Sequence, residues 1–173
     1  MLETLITSKT RIRILVKFFI NAANNGYLRG LADEMNESTN GIRKELNSLY
    51  EAGYLEKKAH QNKISYSANT KHPLFSNLQK IVRQHLGLDA IIEMILARMG
   101  RVQQIVILGD YANGIDSGVI EVLIVGSNLN ESYIDQLALK IEEEIKRKVI
   151  FTTIKIPIAT EGLLIYEDFT LLN

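Results

Sequence analysis

Leu31-Ala32-Asp33-Glu34-Met35, Ser38-Thr39-Asn40-Gly41-Ile42 and Leu49-Tyr50-Glu51-Ala52-Gly53-Tyr54-Leu55 follow one another in the first third of the chain. Leu31, Ala32 and Met35 recur at the spacing of one helix face, which predicts a short helix over 28–35. Asn36-Glu37-Ser38 reads as a turn. A second helix follows over 39–52, with Ile42, Leu46 and Leu49 at i, i+4 and i+7 facing inward. Gly53 stands where a glycine ends such a helix. Upstream, Ser8 is placed to cap an earlier helix whose apolar face is Ile12, Val16 and Phe19. Asn24-Asn25-Gly26 is its expected stop, with glycine supplying the backbone freedom. Downstream, residues 54–59 and 63–68 flank a polar tip, His60-Gln61-Asn62. Leu55, Ile64 and Tyr66 alternate with polar residues, as in a two-stranded hairpin with one covered face.

The helix over 39–52 has a polar face of Thr39, Asn40, Arg43, Lys44 and Asn47 opposite its apolar stripe. A helix that enters the major groove needs short polar side chains at its start and cations beside them. Asn suits an adenine edge and Arg a guanine edge, while Lys44 suits a phosphate. Lys57, Lys58, His60, Gln61, Asn62 and Lys63 gather around the hairpin tip. Residues 1–73 hold 11 Lys and Arg against 7 acids, a charge of +4, which leaves −4 for the remainder. A basic first part suits a polyanionic partner, although the excess is modest. Glu45, Glu51, Asp33, Glu34 and Glu37 lower the local potential. They keep a protein-docking adaptor as an alternative to a DNA reader.

Helix, helix-turn-helix and hairpin in this order, over about Thr7 to Ala68, resemble the winged helix-turn-helix of ArsR-type bacterial transcriptional regulators. The resemblance implies that residues 39–47 read the major groove. It also implies that the hairpin acts as a wing against backbone or minor groove. Palindromic operators require two-fold proteins, so a homodimer is expected.

His72-Pro73-Leu74-Phe75 interrupts the pattern and opens a new helix. Leu74, Leu78, Ile81 and Val82 form one apolar stripe. After Gly87, a broader stripe follows of Leu88, Ile91, Ile92, Ile95, Leu96 and Met99. Its width calls for cover by a sheet or by a second protomer. His85 has Asp89 four residues on, but no second histidine completes a metal site, so a solvated or hydrogen-bonded role is expected.

The second half holds Gly109-Asp110-Tyr111-Ala112-Asn113-Gly114 between apolar runs at 102–108 and 119–125. A helix over 131–148, with Ile134, Leu137, Ala138, Ile141 and Ile145 on one side, precedes strands at 149–156 and 163–166. This order, over about Gly100 to Tyr166, is similar to the core of minimal nucleotidyltransferases, whose loop reads roughly Gly-Ser-x-Ala-x-Gly. In that family an Asp-x-Asp pair, usually with a third carboxylate, holds two magnesium ions. Here Asp110 replaces the serine and sets negative charge where phosphates would rest. Val119-Ile120-Glu121 stands at the Asp-x-Asp position, leaving Glu121 alone, and no acid falls between 149 and 156. Asp116 is placed to approach Glu121 as a makeshift partner. The resemblance therefore implies the fold with its chemistry lost: no catalytic residues, no metal and no cofactor, and a vestigial nucleotide loop of Gly109, Asp110, Gly114 and Glu121. Whether that pocket still binds a nucleotide is left open.

The chain has 173 residues, 46% of them hydrophobic and 23% charged, as in ordinary globular proteins, and no cysteine. Disulfides and thiolate metal sites are thereby excluded. No apolar run approaches the roughly 20 residues of a membrane span. The start, Met1-Leu2-Glu3-Thr4, lacks a secretory pattern, so a cytoplasmic location is expected. The expectation is an α+β chain: a winged helix-turn-helix over 1–70, a helical connector over 71–99, and an inactive nucleotidyltransferase-like domain over 100–173. The function expected is sequence-specific binding of double-stranded DNA in transcription regulation. The C-terminal domain would serve for dimerisation or sensing, with a nucleotide or small molecule as candidate effector. The competing reading is an active or nucleotide-binding nucleotidyltransferase with an accessory winged helix.

Overall fold

The protein is α+β, and the computed structural model describes residues 2–60, 62–156 and 161–168, with only the backbone of His60. Two compact units form. One comprises Met1–His85 with Asn113–Ile115, the other Leu86–Ala112 with Asp116–Asn173. Among the described residues no helix is long and apolar enough to cross a membrane.

The first unit runs α1 (Leu2–Leu5), α2 (Lys9–Phe19), β1 (Asn25–Tyr27), α3 (Leu28–Met35), α4 (Thr39–Glu51), β2 (Leu55–His60), β3 (Lys63–Ala68) and α5 (Phe75–Leu86), whose last residue lies in the second unit. The Ser8 hydroxyl accepts from the Arg11 amide and starts α2. Ile12, Val16 and Phe19 are buried as the periodicity predicts, but so are Ile14, Leu15, Phe18 and Ile20, so α2 is a central rather than a surface helix. α2 does not stop at Gly26. The Asn24 side-chain amide donates to the Lys17 carbonyl at 2.9 Å near the end of the helix. Gly26 instead lies in β1, where any Cβ would come within 2.7 Å of Leu31.

β1 makes the small sheet three-stranded, in the order β1-β3-β2, where the sequence showed only a hairpin. A three-residue strand, Asn25–Tyr27, is too short to display an alternation. Leu55 and Tyr66 are buried, whereas Ile64 is half exposed. Ile64 shares the face of Tyr66 and pairs with Ala59 near the turn, beyond the helices that cover the rest. The alternation is correct; the cover stops short of the tip.

α4 begins where the Ser38 hydroxyl accepts from the Gly41 amide at 3.0 Å. It ends at Gly53, whose φ of +81° lets the Tyr54 and Gly53 amides return to the Leu49 and Tyr50 carbonyls. Ile42, Leu46 and Leu49 are buried, and so is Glu45. The Glu45 carboxylate accepts from Arg11 Nε at 2.6 Å and from the Ser8 hydroxyl at 2.7 Å.

The second unit runs α6 (Leu88–Arg98), β4 (Arg101–Leu108), α7 (Gly109–Ala112), β5 (Val119–Ser127), a 3-10 turn at Glu131–Tyr133, α8 (Ile134–Ile145), β6 (Lys148–Ile154) and β7 (Leu163–Glu167). The sheet order is β6-β5-β4-β7. β4 is antiparallel to β5 and β7, while β5 and β6 are parallel, a pairing that requires the α8 crossover. Leu88, Ile91 and Ile95 of α6 and Leu137, Ile141 and Ile145 of α8 are buried, as are Ile105, Ile107, Ile120, Val122 and Ile124 of the sheet. The opposite sheet face carries a second cluster of Val106, Leu123 and Val125, with Leu108 and Ile154 against it. On α5, Val82 and Leu86 are buried, but Ile81, and Leu74 just before the helix, stay exposed.

Breaking a buried, hydrogen-bonded carboxylate costs more than removing an exposed one. Glu45→Ala is expected to lower stability by about 1–3 kcal/mol, and Glu51→Ala by less than about 0.5 kcal/mol. Urea unfolding of both variants measures the difference.

Candidate functional site

Because Ile42, Leu46 and Leu49 turn inward, the opposite side of α4 is left to solvent. Thr39, Asn40, Arg43 and Lys44 are exposed and Asn47 is half-buried. Arg43 donates to the Asn40 side-chain carbonyl at 3.1 Å, which ties together the two groups best suited to base edges. Among the described residues Arg43 and Lys44 form no ion pair.

The cations of the hairpin separate into two groups. Lys57 pairs with Tyr66 in the β2–β3 register and lies on the covered face with Leu55. Its ammonium donates to the Asn47 side chain at 3.3 Å and stands 3.9 Å above the Tyr50 ring. Lys58, one residue on, points from the other face and is exposed. Asn62 and Lys63 are exposed at the tip, with the Lys63 ammonium 5.8 Å from the Tyr27 ring. Gln61 and the side chain of His60 lie outside the described residues. Tyr50 was not singled out from the sequence. It is 42% exposed and extends the stripe Asn40, Arg43, Asn47 by three more residues, a spacing the helical period would have revealed. Burial raises the Tyr66 phenol above its ordinary pKa, and the nearby Arg43 charge opposes that shift.

Three of the acids expected to depress the local potential are engaged within the unit. Glu45 binds Arg11, Glu34 binds Lys17 at 2.9 Å, and Glu37 lies 3.5 Å from Arg13. Their partners all come from α2. The two remaining ones, Asp33 and Glu51, are exposed. The His85 ring is largely covered, with its side chain 7% exposed and Nε2 3.8 Å from a Glu3 carboxylate oxygen.

In the second unit the last residue of β4, Leu108, pairs with Glu121 on β5, and Gly109, with φ +58°, follows it at the start of α7. A Cβ at Gly109 would lie 3.3 Å from the Glu121 carboxylate. Asp110 is exposed. Asp116, expected as a makeshift partner of Glu121, is held elsewhere. It accepts from the Arg147 guanidinium at 2.8 and 3.0 Å and from the Tyr111 hydroxyl. The same phenol accepts from the Gly118 amide at 3.2 Å, so a fully buried ring ties both ends of the loop. Burial, followed by the Asp116 carboxylate, pushes the Tyr111 phenol far above its ordinary pKa. The bond to Asp116 likewise holds Arg147 charged. Among the described residues no three His, Cys, Asp or Glu side chains converge as a metal-ligand set.

Comparisons with protein-family models, with characterised proteins and with solved structures return no match.

Tyr111→Phe removes one donor and one acceptor from a buried site, and is expected to cost about 1–3 kcal/mol in urea unfolding. The phenol is neutral in the folded loop and has its pKa raised there, so its contribution is full below the unfolded value. The difference between wild type and Tyr111→Phe should therefore hold through neutral pH and shrink above about pH 10.

Proposed function

We propose that this chain is a sequence-specific DNA-binding transcriptional regulator of the winged helix-turn-helix kind, similar to ArsR-type proteins and acting in the cytoplasm. Its C-terminal unit is a nucleotidyltransferase-like scaffold used for dimerisation or sensing rather than turnover. The observation that carries this reading is the outward face of α4. Asn40, Arg43, Lys44 and Asn47 are presented on a helix whose inner face is buried and clamped by Arg11 and Glu45. Pairing of Glu34, Glu37 and Glu45 with α2 cations supports it, since three of the five acids that weaken the case for a polyanion partner are engaged, leaving Asp33 and Glu51 exposed. In this reading Thr39 to Asn47 meet base edges and nearby phosphates. Lys58, Asn62 and Lys63 meet backbone, and Lys57 positions Asn47 and Tyr50.

Arg43→Ala with Lys44→Ala should weaken binding to fragments selected from the source genome by about tenfold to a thousandfold, given about 1–3 kcal/mol for a lost bidentate base contact plus one phosphate contact. Mobility shift measures it, with circular dichroism showing the fold retained. Unchanged affinity would remove the DNA reading in favour of a protein-docking module.

Engagement of Asp116 by Arg147 and Tyr111 supports a loop without catalytic carboxylates beyond Glu121. Incubation with magnesium and each of the four ribonucleotides should give no nucleotide transfer to the protein, DNA or RNA. Transfer abolished by Glu121→Gln would replace the regulator with a nucleotidyltransferase.

A further inference from the structure

By residue type alone, Asn40 and Asn47 suit adenine, because a side-chain amide offers one acceptor to its N6 amine and one donor to its N7. In the folded chain both amides are already engaged at the acceptor end. The Asn40 carbonyl oxygen accepts from Arg43 Nη1 at 3.1 Å, and the Asn47 carbonyl oxygen accepts from the Lys57 ammonium at 3.3 Å. An oxygen turned to an internal cation leaves the NH2 group of the planar amide on the other side. The adenine amine is itself a donor, so it would approach each oxygen beside a charge that repels its hydrogens.

Lys57 is held in this place from three directions. It is half-buried, with its ammonium 3.9 Å above the Tyr50 ring and 5.6 Å from the centroid of Tyr66, and a cation is attracted to such ring faces. The β2–β3 register sets Lys57 against Tyr66, and Asn47 and Tyr50 share a helix face at i, i+3. The hairpin therefore determines which end of the Asn47 amide is spent inside the protein. Arg43, with Nη1 on Asn40, keeps Nε and Nη2, a fork that fits guanine O6 and N7. Of the two acids on α4, Glu45 is buried against Arg11 and Ser8, and Glu51 is the last residue, beyond Tyr50. From Asn40 to Asn47 the outward groups left over are N–H donors.

We propose that α4 reads guanine through Arg43 and Asn47, and that Lys57 sets this preference by claiming the Asn47 oxygen. Guanine is the base whose major-groove edge carries two acceptors and no donor. Adenine and cytosine present an amine there, and thymine a single acceptor beside a methyl group. Lys57 acts as a positioning residue, through Asn47. This specificity rests on the DNA-binding reading of α4 and names the class of sequence that reading leaves open.

Selection of the full chain against a random duplex pool should enrich guanine at the positions facing α4. Replacing each selected guanine by 7-deazaguanine removes the N7 acceptor, keeps the base pair and should weaken binding about fivefold or more. Lys57→Met keeps an unbranched side chain beside Tyr50 but frees the Asn47 oxygen. The guanine-over-adenine ratio at one position should then fall about tenfold. Loss of a phosphate contact would instead weaken every sequence alike. Circular dichroism reports whether the variant folds; should it unfold, the 7-deazaguanine series on the wild type decides. A selected motif without guanine, indifference to 7-deazaguanine, or a uniform loss in Lys57→Met overturns the guanine preference and leaves DNA binding standing. Enrichment of no duplex at all removes both.

Discussion

The Arg11–Glu45 ion pair is the contact on which the first unit turns. Glu45 lies on the inner side of α4 between Ile42 and Leu49, where an unpaired carboxylate would be costly. Arg11 and Ser8 of the α2 start satisfy it, so α2 is joined to α4 by directional bonds as well as by packing. With that side fixed, the rotation of α4 is fixed, and Asn40, Arg43 and Lys44 have only solvent to face. The polar stripe is thus a consequence of how the helix is held from behind.

The same logic operates at the loop after β4. Tyr111 is buried, and its single hydroxyl serves Asp116 on one side and Gly118 on the other. Arg147, following α8, completes the arrangement by holding Asp116. A carboxylate placed by sequence near a candidate metal position is thereby drawn into an internal network. Tyr111, Asp116 and Arg147 together hold the turn.

Periodicity made most of the elements legible. The stripes of α3 and α4, the Ser8 cap and the Gly53 stop each follow from local physics, because a helix face repeats and its ends need partners. The strands of the second half were legible as apolar runs of strand length, but their order in the sheet was not. β1 was not, since three residues carry no period. Nor was the separation of Lys57 from Lys58: adjacent strand residues point to opposite faces, and the register that assigns them depends on the whole sheet. Tyr50 was readable as a continuation of the α4 stripe, but its role emerges only with Lys57 above its ring.

The sequence by itself determined which residues form helices and strands, and which side of each is apolar, because those properties are set within a few residues along the chain. It also determined that the loop at 109–114 carries Asp110 and that Glu121 is the sole acid of the apolar run at 119–125. Only the tertiary structure decided which charges remain available. Glu34, Glu37, Glu45 and Asp116 look equivalent to Asp110 and Glu51 in the sequence, yet the first four meet cations from other elements. Ion pairing depends on distance in space, and residues such as Asp116 and Arg147, 31 positions apart, become neighbours only when the sheet and its crossover helix have formed.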